Sequence, residues 1–280
     1  MEKKTIFIGG AWPYANSTLH VGHLSGLLPG DIIARYYRSR GDNVMYVSGS
    51  DCHGTPITLR SIKENKKPQD IAKKYHLGFV DIFNKLDFSY DFYGETTSDD
   101  HKDEVKRIIL TLYEKDHIYE KIEAQPYCNK CSKFLSDREL SYICPLCGKE
   151  ANIEGCECGS EFDKNETEKA KCNICKQTPI LKEDKNLYFR LSSFQSKIED
   201  YLKENSKNWR QNAINETKKY LKQKLHDRAI TRNLDWGVDV PIKGYENKKI
   251  YVWIEAVIGY ISTCKKYCKE NNLDYKKYLI

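Results

Sequence analysis

The chain has 280 residues, of which 46 are Lys or Arg and 40 are Asp or Glu, for a formal net charge of +6. Its mean hydropathy is −0.69, no apolar run approaches the roughly 20 residues of a membrane helix, and its length suits one large or two modest domains. The positive excess is small and spread over lysines, so charge alone does not point to a nucleic-acid partner. The N-terminal MEKKTIFIGGAWPY lacks the apolar core and cleavage site of a signal peptide. The cytoplasm is therefore the expected location, with no membrane partner.

TIFIG reads as a short buried strand ending in Gly9-Gly10. ANSTLHVGHLSGLLPGDIIARYYRSRG reads as a helix, with Asn16, Ser17 or Thr18 to cap its start and Gly41 to end it. NVMYVSGSD predicts a second strand, and His53-Gly54-Thr55-Pro56 leads into a helix with Pro56 in its first turn. Pro68 opens another helix over KPQDIAKKYHLGFVDIFNKL, and Thr97 or Ser98 can cap DDHKDEVKRIILTLYEK. Strand–helix alternation of this kind implies a parallel sheet of βαβ units.

Near Ile118 the pattern gives way to cysteine-rich, loop-like sequence. NLYFRL leads out of it as a strand, followed by two helices, SSFQSKIEDYLKEN and NWRQNAINETKKYLKQKL. Beyond ITRNLDWGVDVP, the segment KIYVWIEAVIGYISTCKKYCKEN restores strand and then helix. The expected fold is α/β: a Rossmann-like parallel-sheet nucleotide-binding domain interrupted by a zinc-knuckle insertion domain. Its expected boundaries are 1–117 for the first half of the sheet domain, 118–230 for the insertion, and 231–280 for the start of the second half.

Eight of the eleven cysteines crowd between Cys128 and Cys175. They form the pairs Cys128/Cys131, Cys144/Cys147, Cys156/Cys158 and Cys172/Cys175, and the CPLCG and CECG stretches supply glycine-assisted turns. Without an export signal, metal binding is favoured over disulfides. Zinc takes four tetrahedral ligands, so eight thiolates allow two closed, structural sites; one filled site and an iron–sulfur cluster are the competing readings. Loop length permits both nested and sequential pairing.

His20 and His23 share one helix face, as the start of a zinc site would. No third ligand stands nearby in sequence, although Asp51 or His53 could serve. The alternative is an anion cradle: the helix follows a strand and a glycine turn, where free N–H groups and the helix dipole favour phosphate, and Gly22 permits close approach. Asp51 closes the second strand at the same edge, either as a helix cap or as a carboxylate facing a ligand ammonium.

AWPYANSTLHVGH resembles the HIGH signature of class I aminoacyl-tRNA synthetases. More narrowly, PYAN, GSDCHGTPI, ITRNLDWGVDVP and YVWIEAVIGY resemble the methionyl-tRNA synthetase family, in this order and nearly along the whole chain. The resemblance implies methionine activation by ATP, with Mg2+, to methionyl-adenylate, then transfer to the 2′-hydroxyl of tRNA(Met). It implies that His20 and His23 contact the ATP phosphates as catalytic groups and that Gly22 lets the adenosine lie against the backbone. Asp51 would hold the methionine ammonium, and Tyr14, Trp253, Ala256 and Tyr260 would line the side-chain pocket, with Ala11 and Trp12 beside them. Trp253 by itself reads as a tryptophan of a buried strand. Arg232 in ITRN matches a family arginine near the active site, against the plain reading of a surface arginine.

The resemblance also favours nested pairing: Cys144, Cys147, Cys156 and Cys158 in one zinc site, Cys128, Cys131, Cys172 and Cys175 in the other. Departures are Trp12 where many members have leucine, Cys52 where others have alanine or glutamate, and Glu255-Ala256-Val257 for Asp-Ala-Pro. The family's KMSKS signature and anticodon-binding domain are expected beyond Ile280, so the chain reads as the front part of an enzyme, inactive in isolation, with the remainder as a partner. The alternatives are another class I synthetase or a non-catalytic zinc-knuckle fragment that binds nucleic acid.

Overall fold

The computed structural model describes residues 3–135, 139–152, 156–158 and 167–279. The first elements are β1 (Thr5–Gly9), α1 (Val21–Ser39), β2 (Asn43–Ser50), α2 (Thr55–Glu64), α3 (Pro68–Lys85), β3 (Phe92–Glu95) and α4 (Asp99–Glu114). There follow β4 (Ile118–Cys128), β5 (Lys133–Phe134), β6 (Leu140–Ile143), β7 (Glu150–Asn152), β8 (Ala170–Cys172) and β9 (Ile180–Phe189). The last are α5 (Gln195–Asn205), α6 (Gln211–Lys222), β10 (Arg228–Ala229), β11 (Thr231–Arg232), β12 (Lys249–Ile250), α7 (Val252–Glu270) and α8 (Lys276–Leu279). Two compact units result: Met1–Ile109 with Leu234–Ile280, and Leu110–Asn233. Among the described residues no helix is long and apolar enough to cross a membrane.

The first unit is built on a parallel sheet in the order β1-β2-β3, in register from Thr5↔Asn43 to Gly9↔Val47 and from Val47↔Phe92 to Ser50↔Glu95. The central β2 is buried from Met45 to Ser50, as expected of a strand covered on both faces. Successive side chains alternate between those faces. Met45 and Val47 join Cys264 and Cys268 of α7, whereas the Tyr46 hydroxyl donates to the Leu27 carbonyl of α1 at 3.3 Å. A second core, with Leu27, Ile57, Ile71, Phe79 and Phe83, lies among α1, α2 and α3. The strand–helix alternation read from the sequence is thus present.

Three local expectations change. α1 begins at Val21, not in ANST. The strand β3 is an addition, since FYGE is too short to show a period. Trp253 lies in the first turn of α7 and is 56% exposed, so it is not a buried strand tryptophan.

In the second unit β4 pairs antiparallel with β9 from Ile118↔Phe189 to Tyr127↔Ile180. The strand starts well ahead of NLYFRL; residues 180–183, with the sequence ILKE, are exposed and carry no apolar–polar alternation that would mark a strand. A separate antiparallel sheet, in the order β7-β6-β8, adjoins the Cys144/Cys147 turn and ends at Cys172, whereas Cys128 and Cys131 lie at the turn from β4 to β5.

Candidate active site

β1 and β2 are parallel neighbours, so their carboxyl ends open on one edge, where α/β sheets take ligands. Past β1, the cap of α1 is His20, not Asn16, Ser17 or Thr18. The Gly22 N–H donates to His20 Nδ1 (3.1 Å), and the His20 N–H donates to His23 Nδ1 (3.2 Å). This is a capping box written in imidazoles. Since each Nδ1 accepts, the proton of each neutral ring sits on Nε2, and the helix start presents two Nε2–H donors beside its free backbone N–H groups. Burial, and then the neighbouring His20, pushes the His23 pKa below the ordinary imidazole value. Gly22 is needed for this arrangement, because a Cβ there would stand 2.9 Å from the His20 ring.

Asp51 follows β2 and is 4% exposed. Its turn is tied down at nearly every peptide. The Asp51 N–H donates to the Pro13 carbonyl (2.9 Å) and the Ala15 N–H to the Asp51 carbonyl (2.8 Å), which bridges Tyr14 to Asp51. The Cys52 N–H donates to Thr96 Oγ1 (2.9 Å), and Trp236 Nε1–H to the Cys52 carbonyl (2.7 Å). His53 Nδ1 pairs with Glu255 Oε1, an oxygen that also lies 3.5 Å from His101 Nε2. His53 is therefore committed to a carboxylate.

Asp51 is not the cap of α2; that place belongs to Gly54, with no side-chain bond. Burial raises the Asp51 pKa well above the carboxylate range, and the charge of Glu255 adds to the rise. At Glu255 burial also pushes upward, but His53 and His101 outweigh it and leave its pKa lowered. The edge holds two buried carboxylates and is short of positive charge.

Trp253, Ala256 and Tyr260 follow one another at the three- and four-residue spacings of a single stripe of α7. Tyr14 meets Trp253 edge-on at 6.3 Å between centroids, and Trp12 meets Tyr260 in the same way at 6.0 Å. The Trp12 indole fills a slot between β2 and α7: a Cβ on Gly49 or Gly259 would stand 2.5 or 2.8 Å from it. Its Nε1 is buried and has no hydrogen-bond partner among the described residues. Ala11 is exposed, and its carbonyl accepts from Ser48 Oγ (2.9 Å). In the other unit, Arg232 Nη1 donates to the Ala229 and Thr231 carbonyls, both at 2.9 Å.

The cysteines fall into two groups of four, Cys128, Cys131, Cys172, Cys175 and Cys144, Cys147, Cys156, Cys158, with the sulfurs of each group within 4.8 Å of one another. Partner sulfurs stand 3.4 Å (Cys128–Cys175), 3.9 Å (Cys131–Cys172), 3.5 Å (Cys144–Cys158) and 3.4 Å (Cys147–Cys156) apart. A disulfide needs about 2 Å, whereas four thiolates about 2.3 Å from one tetrahedral zinc lie roughly 3.8 Å apart. The donor set fits zinc, in the nested arrangement. Each CxxC pair is followed by a left-handed residue: Ser132 (φ 51°), Gly148 (φ 69°) and Lys176 (φ 60°). One turn is thus used three times, and glycine marks it only once. The Gly159 turn of CECG lies outside the described residues.

A family model described as "tRNA synthetases class I (M)" matches residues 6–280. The chain belongs to this family. It is 51% identical over 274 residues to "Methionine--tRNA ligase 1" of Alkaliphilus oremlandii, and 47% identical over 278 residues to "Methionine--tRNA ligase" of Bacillus cereus strain B4264. Each match covers 98% of this chain and 51% of the relative, so the chain spans about half the length of these curated relatives. The fold is also that of Mycobacterium tuberculosis methionyl-tRNA synthetase bound by methionyl-adenylate, at TM-score 0.71 and 22% identity, covering 93% of this chain and 47% of that one.

Around the GSD segment the structure adds three residues that the sequence did not single out: His101, Thr96 and Trp236. His53 adjoins Asp51 in sequence and was within reach, but His101 and Thr96 arrive from around α4 with no motif to mark them.

Proposed function

We propose that the chain carries the methionine- and ATP-phosphate-binding parts of a cytoplasmic methionine–tRNA ligase. Asp51 receives the methionine ammonium, and Trp12, Tyr14, Trp253, Ala256 and Tyr260, with Ala11 alongside, enclose the thioether by aromatic contact. The Nε2–H groups of His20 and His23 donate to the ATP phosphates, and Gly22 leaves the backbone open to the adenosine. ATP enters with Mg2+ as part of the substrate.

The methionine carboxylate attacks the α-phosphate and pyrophosphate leaves. Preorganised donors at the helix start stabilise the charge developing on the phosphate oxygens. The 2′-hydroxyl of tRNA(Met) then attacks the methionyl carbonyl of the adenylate, forming the ester and releasing AMP. Two zinc ions, each held by four of the eight cysteines, would staple the insertion between the two halves of the catalytic domain. A zinc with four thiolates leaves no open position, so its contribution is structural.

The observation that carries this reading is Asp51, a buried carboxylate with a raised pKa, bridged to Tyr14 on the sheet edge where His20 and His23 open α1. A bound ammonium would supply the charge that this carboxylate lacks. The test is calorimetric titration of the chain with L-methionine and with methioninol, which keeps the ammonium and lacks the carboxylate. Both bind if the reading holds, and Asp51→Asn weakens both by about 30-fold or more. A chain that takes up RNA but neither ligand is a zinc-knuckle nucleic-acid binder instead.

A further inference from the structure

We propose that Glu255 is a positioning residue of the amino-acid site: from α7 its carboxylate clamps His53 against His101 and so fixes the turn that carries Asp51. The inference rests on the reading of Asp51 given above.

Glu255 is 0% exposed and lies in the first turn of α7, so it does not meet solvent. A single oxygen, Oε1, reaches two imidazoles that belong to other elements: His53, two residues past Asp51, and His101 in α4. His101 is gripped at its other nitrogen too, since its Nδ1 lies 2.9 Å from Ser262 Oγ, further along the same helix. α7 thereby holds α4 at two points and the Asp51 turn at a third.

The rest of that turn leans on the same helix. Gly54 has φ 89°, and a Cβ there would stand 3.2 Å from the Val252 side chain. The free edge of the His53 ring is packed by Trp236, at 4.9 Å between centroids, and Trp236 itself donates to the Cys52 carbonyl. Remove the carboxylate and the one polar hold on the His53 ring among the described residues is gone, leaving a buried ring nitrogen to find another partner.

A buried carboxylate paired in this manner is weak evidence of stability, and its use must be sought elsewhere. Here the use is local. Asp51 and Glu255 are coupled through His53, whose backbone N–H lies 3.4 Å from Asp51 Oδ1 while its ring meets Glu255. Any slackening at Glu255 moves the group that must meet an ammonium, and leaves the helix start at His20 alone.

The test compares wild type, Glu255→Gln and Glu255→Asp in the 280-residue chain, reading Kd for L-methionine and for ATP by calorimetry. Glu255→Gln is expected to weaken methionine at least tenfold with ATP changed less than twofold, and Glu255→Asp to recover part of the loss by restoring the charge. Methionine affinity within twofold of wild type in Glu255→Gln, or equal weakening of both ligands, overturns the proposal.

If Glu255→Gln does not fold, the wild-type chain decides by nitrogen-15 NMR of its histidines. A protonated Nδ1 on His53 supports the clamp and a bare Nδ1 overturns it. Failure of the wild-type chain to bind methionine at all removes the reading of Asp51, and this inference with it. Binding by wild type with an indifferent Glu255→Gln removes the inference alone.

Discussion

The Trp12 indole lies so close to Gly259 that a Cβ on that glycine would stand 2.8 Å from the ring. Trp12 occupies a position where many members of the family have leucine, and the glycine makes room for the larger ring. Gly259→Ala gains about 1 kcal/mol of helix propensity but overpacks the slot at about 1–3 kcal/mol, so a lower melting temperature is expected. Trp12→Leu in the same chain relieves the contact, and the double variant should melt above Gly259→Ala alone. Gly49→Ala provides the contrast. Its Cβ would also meet the Gly94 carbonyl at 2.8 Å, so Trp12→Leu should not rescue it. Equal melting of Gly259→Ala with and without Trp12→Leu would count against the slot.

Asp51 acts on stability and on binding with opposite signs. Its folded pKa is raised above the unfolded value by burial and by Glu255. Its ionisation therefore weakens the folded state as pH rises from the ordinary carboxylate range toward the raised value. Asp51→Asn should melt higher than wild type at neutral pH, and the difference should close as the pH falls below the ordinary carboxylate pKa. Methionine affinity should fall by about 30-fold or more, because an unpaired buried ammonium costs ~2 kcal/mol or more. Thermal melts and calorimetry across pH check both halves.

Gly22→Ala brings a methyl group against the His20 ring and breaks the reciprocal cap. Loss of an N-cap costs about 1 kcal/mol, localised at the start of α1. Hydrogen exchange should show faster amides in the first turn, together with weaker ATP binding and unchanged methionine binding. Uniformly faster exchange along α1 would argue against a local cap.

The two cysteine groups differ in exposure, and zinc release should show it. Cys128 and Cys172 are buried in the small core formed with Leu135, Leu140 and Tyr142, whereas Cys147 and Cys158 are exposed. Purified chain should contain two zincs, and a chelator should strip them in two phases. Cys147→Ser should remove the fast phase and Cys172→Ser the slow one. One phase with one zinc per chain would show that a single group is filled.

Much of the fold was legible because its signals are local. Pro56 and Pro68 mark helix starts, Gly41 follows the last turn of α1, and hydrophobic runs mark β1 and β2. What escaped was set by tertiary partners. The cap of α1 is an imidazole, a residue type that cap preferences do not favour. β9 begins in exposed sequence without alternation because pairing with β4, not a core, holds it there. Loop length left the grouping of the cysteines open, and it was the family resemblance that pointed to the nested groups found here. Around Asp51 the motif GSDCHGTPI announced the carboxylate, but the Glu255–His101 contact joins residues over a hundred positions apart.

An imidazole has a single lone pair to give when neutral, and none when protonated. At His20 and His23 that lone pair faces a backbone N–H. Chelation of a cation through Nδ1 would thus require α1 to unravel at its origin, and uptake of a second proton by His23, whose pKa is lowered, would ask the same. The HxxH interval that invites a metallic interpretation is the interval at which two side chains can cap each other. Acidity and divalent cations are therefore adversaries of this helix start, while an incoming polyanion, drawn to the outward nitrogens, is its ally.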